Sequence, residues 1–182
     1  MACSSVTLAG INLGCKDNMG GIKEVYLIKA EDVTNVALDP ESHEVNTITL
    51  SEPAKFKTYK FRKGTSNMVS TASTDEAAGN FSVQTDVNLQ FSKMETSKRL
   101  EIMGMCLENL KAVVLDSNNI YWFLGMDFPL SASAATGNTG TAYTDFSGYN
   151  VTISDFSREF PYALSSSAVE ALKAQIDPAP VI

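Results

Sequence analysis

The side chains able to do chemistry in this chain are few and scattered. Its one histidine, His43, follows Pro40-Glu41-Ser42, and an imidazole acting as a general base needs a nucleophile within hydrogen-bond reach. No Ser or Cys stands in a recognisable nucleophile elbow, so His43 is read as a solvated turn residue. Cys3, Cys15 and Cys106 form no C-x-x-C pair and have no neighbouring histidine to complete a zinc set. They are read as free thiols, with Cys106 a small buried hydrophobe inside a helical pattern. The acidic pairs Glu31-Asp32 and Asp75-Glu76 lack the alternating oxygen-ligand spacing of a calcium loop. Gly137-Asn138-Thr139-Gly140 has neither the lysine nor the strand-to-helix context of a phosphate or dinucleotide loop. No catalytic, metal or cofactor-binding residue is assigned, and an enzyme is not expected.

Charge narrows the field further. The formal net charge is -7 and the pI about 4.7, which argues against ordinary phosphate binding through clustered cations. The one basic cluster, Lys55, Lys57, Lys60, Arg62 and Lys63, lies along one expected strand and is read as an exposed edge that resists stray pairing. Its alternative reading is a patch for an acidic partner surface. Aromatic residues are not interleaved with Lys or Arg, so no stacking platform for single strands is expected. The 182 residues, 44% of them hydrophobic, are enough for one domain with a real core, 1–182. Charged residues are only 19%, against roughly 25% in ordinary soluble domains. No stretch approaches the ~20 apolar residues of a membrane-spanning helix, and the first residues lack a basic n-region followed by an apolar run. A soluble protein without membrane contact is the expectation.

The elements that must position these residues are mostly strands. Residues 1–21 are rich in Ser, Gly and Asn, close with Asp17-Asn18-Met19-Gly20-Gly21, and are expected to be a flexible arm. Strands are predicted over Ile22–Lys29, Val33–Ala37, Glu44–Leu50 and Ala54–Lys63. Residues 64–80, dominated by Gly, Ser, Thr and Ala, are predicted to form a long loop or hairpin excursion.

The clearest local signal follows. Phe81, Val83, Thr85, Val87, Leu89 and Phe91 occupy one face at period two, while Ser82, Gln84, Asp86, Asn88 and Gln90 occupy the other. One side is core and the other wet. Ser92-Lys93-Met94-Glu95 has capping-box spacing and opens a helix expected over about 93–110. Its stripe is Leu100, Met103, Gly104, Leu107 and Leu110, and this stripe is expected to pack on Phe81, Val83, Val87, Leu89 and Phe91. Lys111–Leu115 and Ile120–Gly125 flank Asp116-Ser117-Asn118-Asn119 and predict a hairpin whose second arm, with Trp122, is buried on both faces. Residues 127–148 read as a loop of small residues, Tyr149, Val151 and Ile153 as a further strand, and Ser167-Ala168-Val169-Glu170 as the start of a short helix over about 167–176. The fold class is mainly β: a sandwich or open barrel of about seven or eight strands with one flanking helix and a short C-terminal helix.

This order of elements resembles the tail tube proteins of long-tailed bacteriophages, particularly those in prophages of gut Bacteroidetes. The residues that carry the resemblance are Asn18-Met19-Gly20-Gly21-Ile22-Lys23-Glu24-Val25-Tyr26 and the segment from Thr139-Gly140-Thr141-Ala142-Tyr143 through Gly148-Tyr149-Asn150-Val151-Thr152. The resemblance implies a structural virion protein whose hexameric rings stack into a tail tube, with DNA passing through the lumen without specific binding. It implies no catalytic residue and no cofactor. Its partners would be copies of itself and other tail and connector proteins, in a virion assembled in the bacterial host cytoplasm. Ser82, Gln84, Asp86, Asn88 and Gln90 are the candidate lumen face. The competing classes are another virion or secretion component, such as a head-tail connector, a capsid decoration protein or a secreted tube ring, and a carbohydrate-binding β-sandwich. The last usually displays exposed Trp or Tyr on a flat face, whereas Trp122 sits in an apolar run.

Overall fold

The computed structural model describes residues 10–177. The first nine residues of the expected arm, with Cys3, and residues 178–182 lie outside the described residues. Among the described residues the chain is mainly β, with twelve strands in three sheets and two helices. They are β1 (Ile22–Lys29), β2 (Val33–Leu38), β3 (Val45–Leu50), β4 (Phe56–Lys60), β5 (Asn67–Asp75), β6 (Asn80–Ser92), α1 (Thr96–Leu107), β7 (Leu110–Asp116), β8 (Tyr121–Leu124), β9 (Ser131–Asn138), β10 (Gly148–Ser157), β11 (Tyr162–Ala163), α2 (Ser166–Ala174) and β12 (Ile176–Asp177).

A six-stranded sheet ordered β11-β8-β7-β1-β4-β12 lies at the centre. Val25, Tyr26, Leu27 and Ile28 of β1 are all buried, as are Ala112, Val113 and Val114 of β7, because both faces of this sheet are covered. On one side Val25, Leu27, Ala112 and Val114 meet Val87, Leu89, Val151 and Ile153 of a four-stranded sheet ordered β5-β6-β10-β9, together with Ile102 and Met105 of α1. On the other, Tyr26, Ile28, Val113 and Phe123 meet Val45 and Ile48 of the β2-β3 hairpin and Ala168 and Leu172 of α2. Each of the two clusters thus takes in one helix, α1 the first and α2 the second.

Several expectations are resolved or corrected by this packing. Of the two readings of residues 64–80, the hairpin is the one found: Asn67–Asp75 form β5, hydrogen-bonded along its length to β6 and joined to it by a turn at 76–79. Residues 131–138, expected as loop, are β9, paired with β10 from Gly148 opposite Asn138 to Ser154 opposite Ser131. Helix α1 begins at Thr96 and ends at Leu107, shorter than 93–110, and its N-cap is Glu95 without a side-chain cap. The Ser92-to-Glu95 capping box does not form, because Ser92 still pairs with Gly148 in the sheet and Glu95 bridges Lys93 and Lys98 instead. Helix α2 is capped two residues earlier than expected, by Ser165, whose hydroxyl accepts from Ala168 N. It ends at Ala174, and Ile176–Asp177 pair in parallel with Phe56–Lys57.

The helix stripe is also rephased. Leu100, Met103 and Leu107 are exposed, by 58%, 47% and 81%, and only Leu110, the first residue of β7, is buried. Ile102 and Met105 are the residues that α1 buries. Apolar residues lie almost all round this helix, so a 3.6-residue period admits either phase, and docking against β9 and the core selects the second. Cys106 is exposed, not buried. Phe81 is 49% exposed because the β10 pairing of β6 stops at Val83 and leaves only β5 beside it. Phe91 is partly buried, edge-on to Tyr59 and tilted on Phe61. Trp122 is half-buried, its indole N–H held by Asp116 at 3.0 Å.

Truncation should separate the two phases. Ile102→Ala and Met105→Ala are expected to lower unfolding stability by about 2–5 kcal/mol, the usual range for emptying a core site. Leu100→Ala and Leu107→Ala should stay within about 0.5 kcal/mol, as surface changes do; urea unfolding followed by Trp122 fluorescence reads all four.

Candidate functional site

The site is built from the alternation of β6. With Val83, Thr85, Val87 and Leu89 buried, period two sends Ser82, Gln84, Asp86, Asn88 and Gln90 to the outer surface of the four-stranded sheet. Residues directly opposite in an antiparallel pair share a face, so β10 adds Asn150 beside Gln90, Thr152 beside Asn88 and Ser154 beside Asp86. On the other flank β5 adds Asn67 beside Asn88, Val69 beside Asp86, Thr71 beside Gln84 and Ser73 beside Ser82. The five residues singled out from the sequence therefore stand in one row, with polar rows on either side.

These groups bond to one another. Ser154 Oγ donates to Asp86 Oδ1 at 2.6 Å and lies 2.8 Å from Ser133 Oγ of β9. Gln84 Nε2 donates to both Asp86 oxygens at 3.1 and 3.2 Å. Thr152 Oγ1 donates to Asn88 Oδ1 at 2.9 Å and Gln90 Nε2 to Asn150 Oδ1 at 3.1 Å. The result is a hydroxyl and amide ladder across the sheet, broken by the half-exposed Val69 and Phe156.

Two further properties distinguish this sheet. None of β5, β6, β9 and β10 contains a Lys or Arg, and their carboxylates are Asp75, Asp86 and Asp155. Among the described residues neither edge strand, β5 or β9, has a strand partner on its outer side, and neither carries a Pro or a basic residue to blunt it, although α1 packs against β9. Such an edge offers a row of unpaired N–H and C=O groups to another chain. Sequence reasoning missed β9, and with it Ser133 and that edge; the hairpin reading of residues 64–80 covers β5, and the outward residues of β10 were legible as the alternates of Tyr149, Val151 and Ile153.

The other candidates fall elsewhere. The basic cluster is not left bare, since Lys57 and Lys55 pair with Asp177 and Lys60 with Glu24, its cross-strand neighbour at 3.3 Å. His43 sits exposed in a turn at φ 57°, its N–H bonded to Asp39 O. The loop after β9 is tied by Asp145, whose carboxylate accepts from Thr141 N and Ala142 N; these bonds hold its pKa below the usual range. Beneath the polar face, Asp155 is buried at 3% exposure. Its Oδ2 accepts from Gly125 N at 3.2 Å, while Oδ1 has no partner among the described residues. Burial pushes the Asp155 carboxyl above the ordinary aspartate range, against the Gly125 N–H that favours the carboxylate, and the charge of Asp127 adds to the rise.

No protein-family model, no curated protein and no solved structure matches this chain.

Because the folded state holds the Asp155 proton more tightly than the unfolded chain does, the ionised carboxylate opposes folding at neutral pH. That opposition fades as pH falls through the raised folded pKa. Relative to Asp155→Asn, the wild-type protein is therefore expected to gain thermal stability as pH is lowered from about 7 toward 4. Paired melting curves across that window check it; a Tm difference independent of pH would sink it.

Proposed function

We propose that this protein is a non-catalytic assembly subunit, the major subunit of a bacteriophage tail tube, whose copies join edge to edge into hexameric rings that stack around a DNA-conducting lumen. One observation carries the reading: a four-stranded sheet with two edges that lack a strand partner among the described residues, one apolar face and one cation-free polar face. Joining β9 of one copy to β5 of the next satisfies both edges and, repeated around a closed ring, leaves none. Six four-stranded sheets supply about 24 strands, and at ~4.8 Å between strands with the usual tilt they enclose a cylinder roughly 40–50 Å across between backbones. The apolar face stays on the core of each subunit, so the ladder containing Ser82, Gln84, Asp86, Asn88 and Gln90 faces inward. A lining without Lys or Arg gives phosphates nothing to displace counterions with, which suits passage over binding. The other partners of such a tube are the tail and connector proteins at its ends, and its place is the virion.

Electron microscopy of the purified protein at high concentration tests this directly. Stacked rings are the expected result. Single rings that never stack would favour a connector or decoration role, and a protein that stays monomeric would overturn the reading. Thr71→Lys with Ala134→Lys sets like charges on both joining edges; it should abolish rings while leaving the monomer's Tm unchanged, and Thr71→Lys with Ala134→Asp should restore them. Asp86→Lys should assemble normally and slow DNA release from particles, measured by dye uptake on ejected DNA.

A further inference from the structure

Residues 10–21 are exposed and form no strand or helix, and among the described residues nothing covers Ile11 or Leu13, each 101% exposed. These two alternate along an uncharged stretch, Gly10 to Cys15, that ends at Lys16. The arm is moored at its root: Met19 N donates to Asn118 Oδ1 at 2.9 Å, Asn118 Nδ2 to Asn18 Oδ1 at 2.7 Å, and Ser117 Oγ to Gly20 O at 2.9 Å. It thus leaves the molecule at the β7–β8 turn, where Ile22 starts β1 opposite Asp116.

At the opposite end of β1 lies an open groove of about 380 Å³ between α1 and β4. Its apolar lining includes Leu27, Pro53, Ala54, Leu100 and Met105, and Leu100 continues it into the exposed stripe with Met103 and Leu107. A Cβ built on Gly104 would meet nothing within 4 Å, so the helix side of the groove is open. The cations on its rim are already paired, Lys29 with Glu108 and Lys55 and Lys57 with Asp177. Asp32 and Glu101 have no cationic partner among the described residues and leave the rim with spare negative charge.

We propose that the arm of one copy, Ile11 and Leu13 first, docks in the α1–β4 groove of a second copy, with Lys16 meeting the acidic rim; this rests on the tube reading and names the contact between stacked rings. Ile11 and Leu13 stand fully exposed and outside their own groove, so the occupant proposed is the arm of another copy. An arm at one end and its groove at the other make a head-to-tail contact that propagates along an axis. A six-residue segment buries far less than the roughly 1,200 Å² of a stable pair, so the arm holds only where other contacts raise its effective concentration. That is the situation in a stack.

The test uses the full chain with Cys3, Cys15 and Cys106 changed to Ser. Leu13→Cys is paired with Gly104→Cys, and, as a second design, Ile11→Cys with Ala54→Cys; both are checked for the parent's Tm, oxidised at assembly concentration and run on non-reducing gels beside electron micrographs. A ladder of cross-linked dimers and higher species in either design supports the proposal, and does so even if the micrographs contradict tubes. A bond within one chain, or no bond in either design, overturns it, whereas tubes in those same samples leave the tube reading standing. Leu13→Asp should raise the protein concentration needed for stacking roughly tenfold or more, the worth of one buried leucine; an unchanged concentration counts against the arm.

Discussion

Ten consecutive cross-strand pairs, from Gly148 opposite Ser92 to Ser157 opposite Val83, hold β10 on β6 in a single register. A slip of one residue would turn every side chain to the other face. It would expose Val87, Leu89, Val151 and Ile153, which are 1% exposed, and bury Asp86, Asn88 and Gln90. The cost of that exchange makes the register non-negotiable. Gly148 pins its end, since a Cβ there would lie 2.1 Å from Phe91 O. Both the sandwich core and the polar surface follow from this one pairing.

The two large sheets treat their margins differently. The six-stranded sheet ends in β11 and β12, two residues each, and Thr58 Oγ1 and Lys57 bond to Asp177 of β12. Short edge strands and charge pairs of this kind block pairing with another chain. The four-stranded sheet has an edge strand of nine residues on one side and eight on the other, neither carrying a basic residue. This contrast between the two sheets supports the proposed assembly role more than composition does.

What could be read from the sequence follows the strength of the local pattern. Strand β1 was legible to the residue because eight strand-forming positions sit between a Gly-Gly turn and a turn at Ala30, and the β7–β8 hairpin because Asp116-Ser117-Asn118-Asn119 separates two apolar runs, with Asn119 at φ 67°. The polar row of β6 was legible for the same reason. β9, Ser-Ala-Ser-Ala-Ala-Thr-Gly-Asn, was not: its side chains are too small to show alternation, and pairing with β10 makes it a strand. At Gly137 a Cβ would stand 3.1 Å from the Tyr149 ring and 3.2 Å from Met94 Cε, so packing there demands the very residues that read as loop. The phase of α1 was illegible because Leu100, Ile102, Met103, Met105 and Leu107 offer apolar faces on more than one side, and only tertiary contact chooses between them.

The net charge of -7 overstates what the polar face does. That face holds Asp86 and, at its far end, Asp75, with no lysine or arginine among its strands. Screening confines any single charge to within about 8 Å at physiological salt, so two carboxylates repel a passing phosphate only locally. Part of the face's donor set is already engaged within the sheet: Ser154 on Asp86, Thr152 on Asn88 and Gln90 on Asn150. In the proposed tube such a lining would offer a polyanion no cation, and that character depends on which side chains the pairing of β6 with β10 turns outward more than on the net charge of the whole protein.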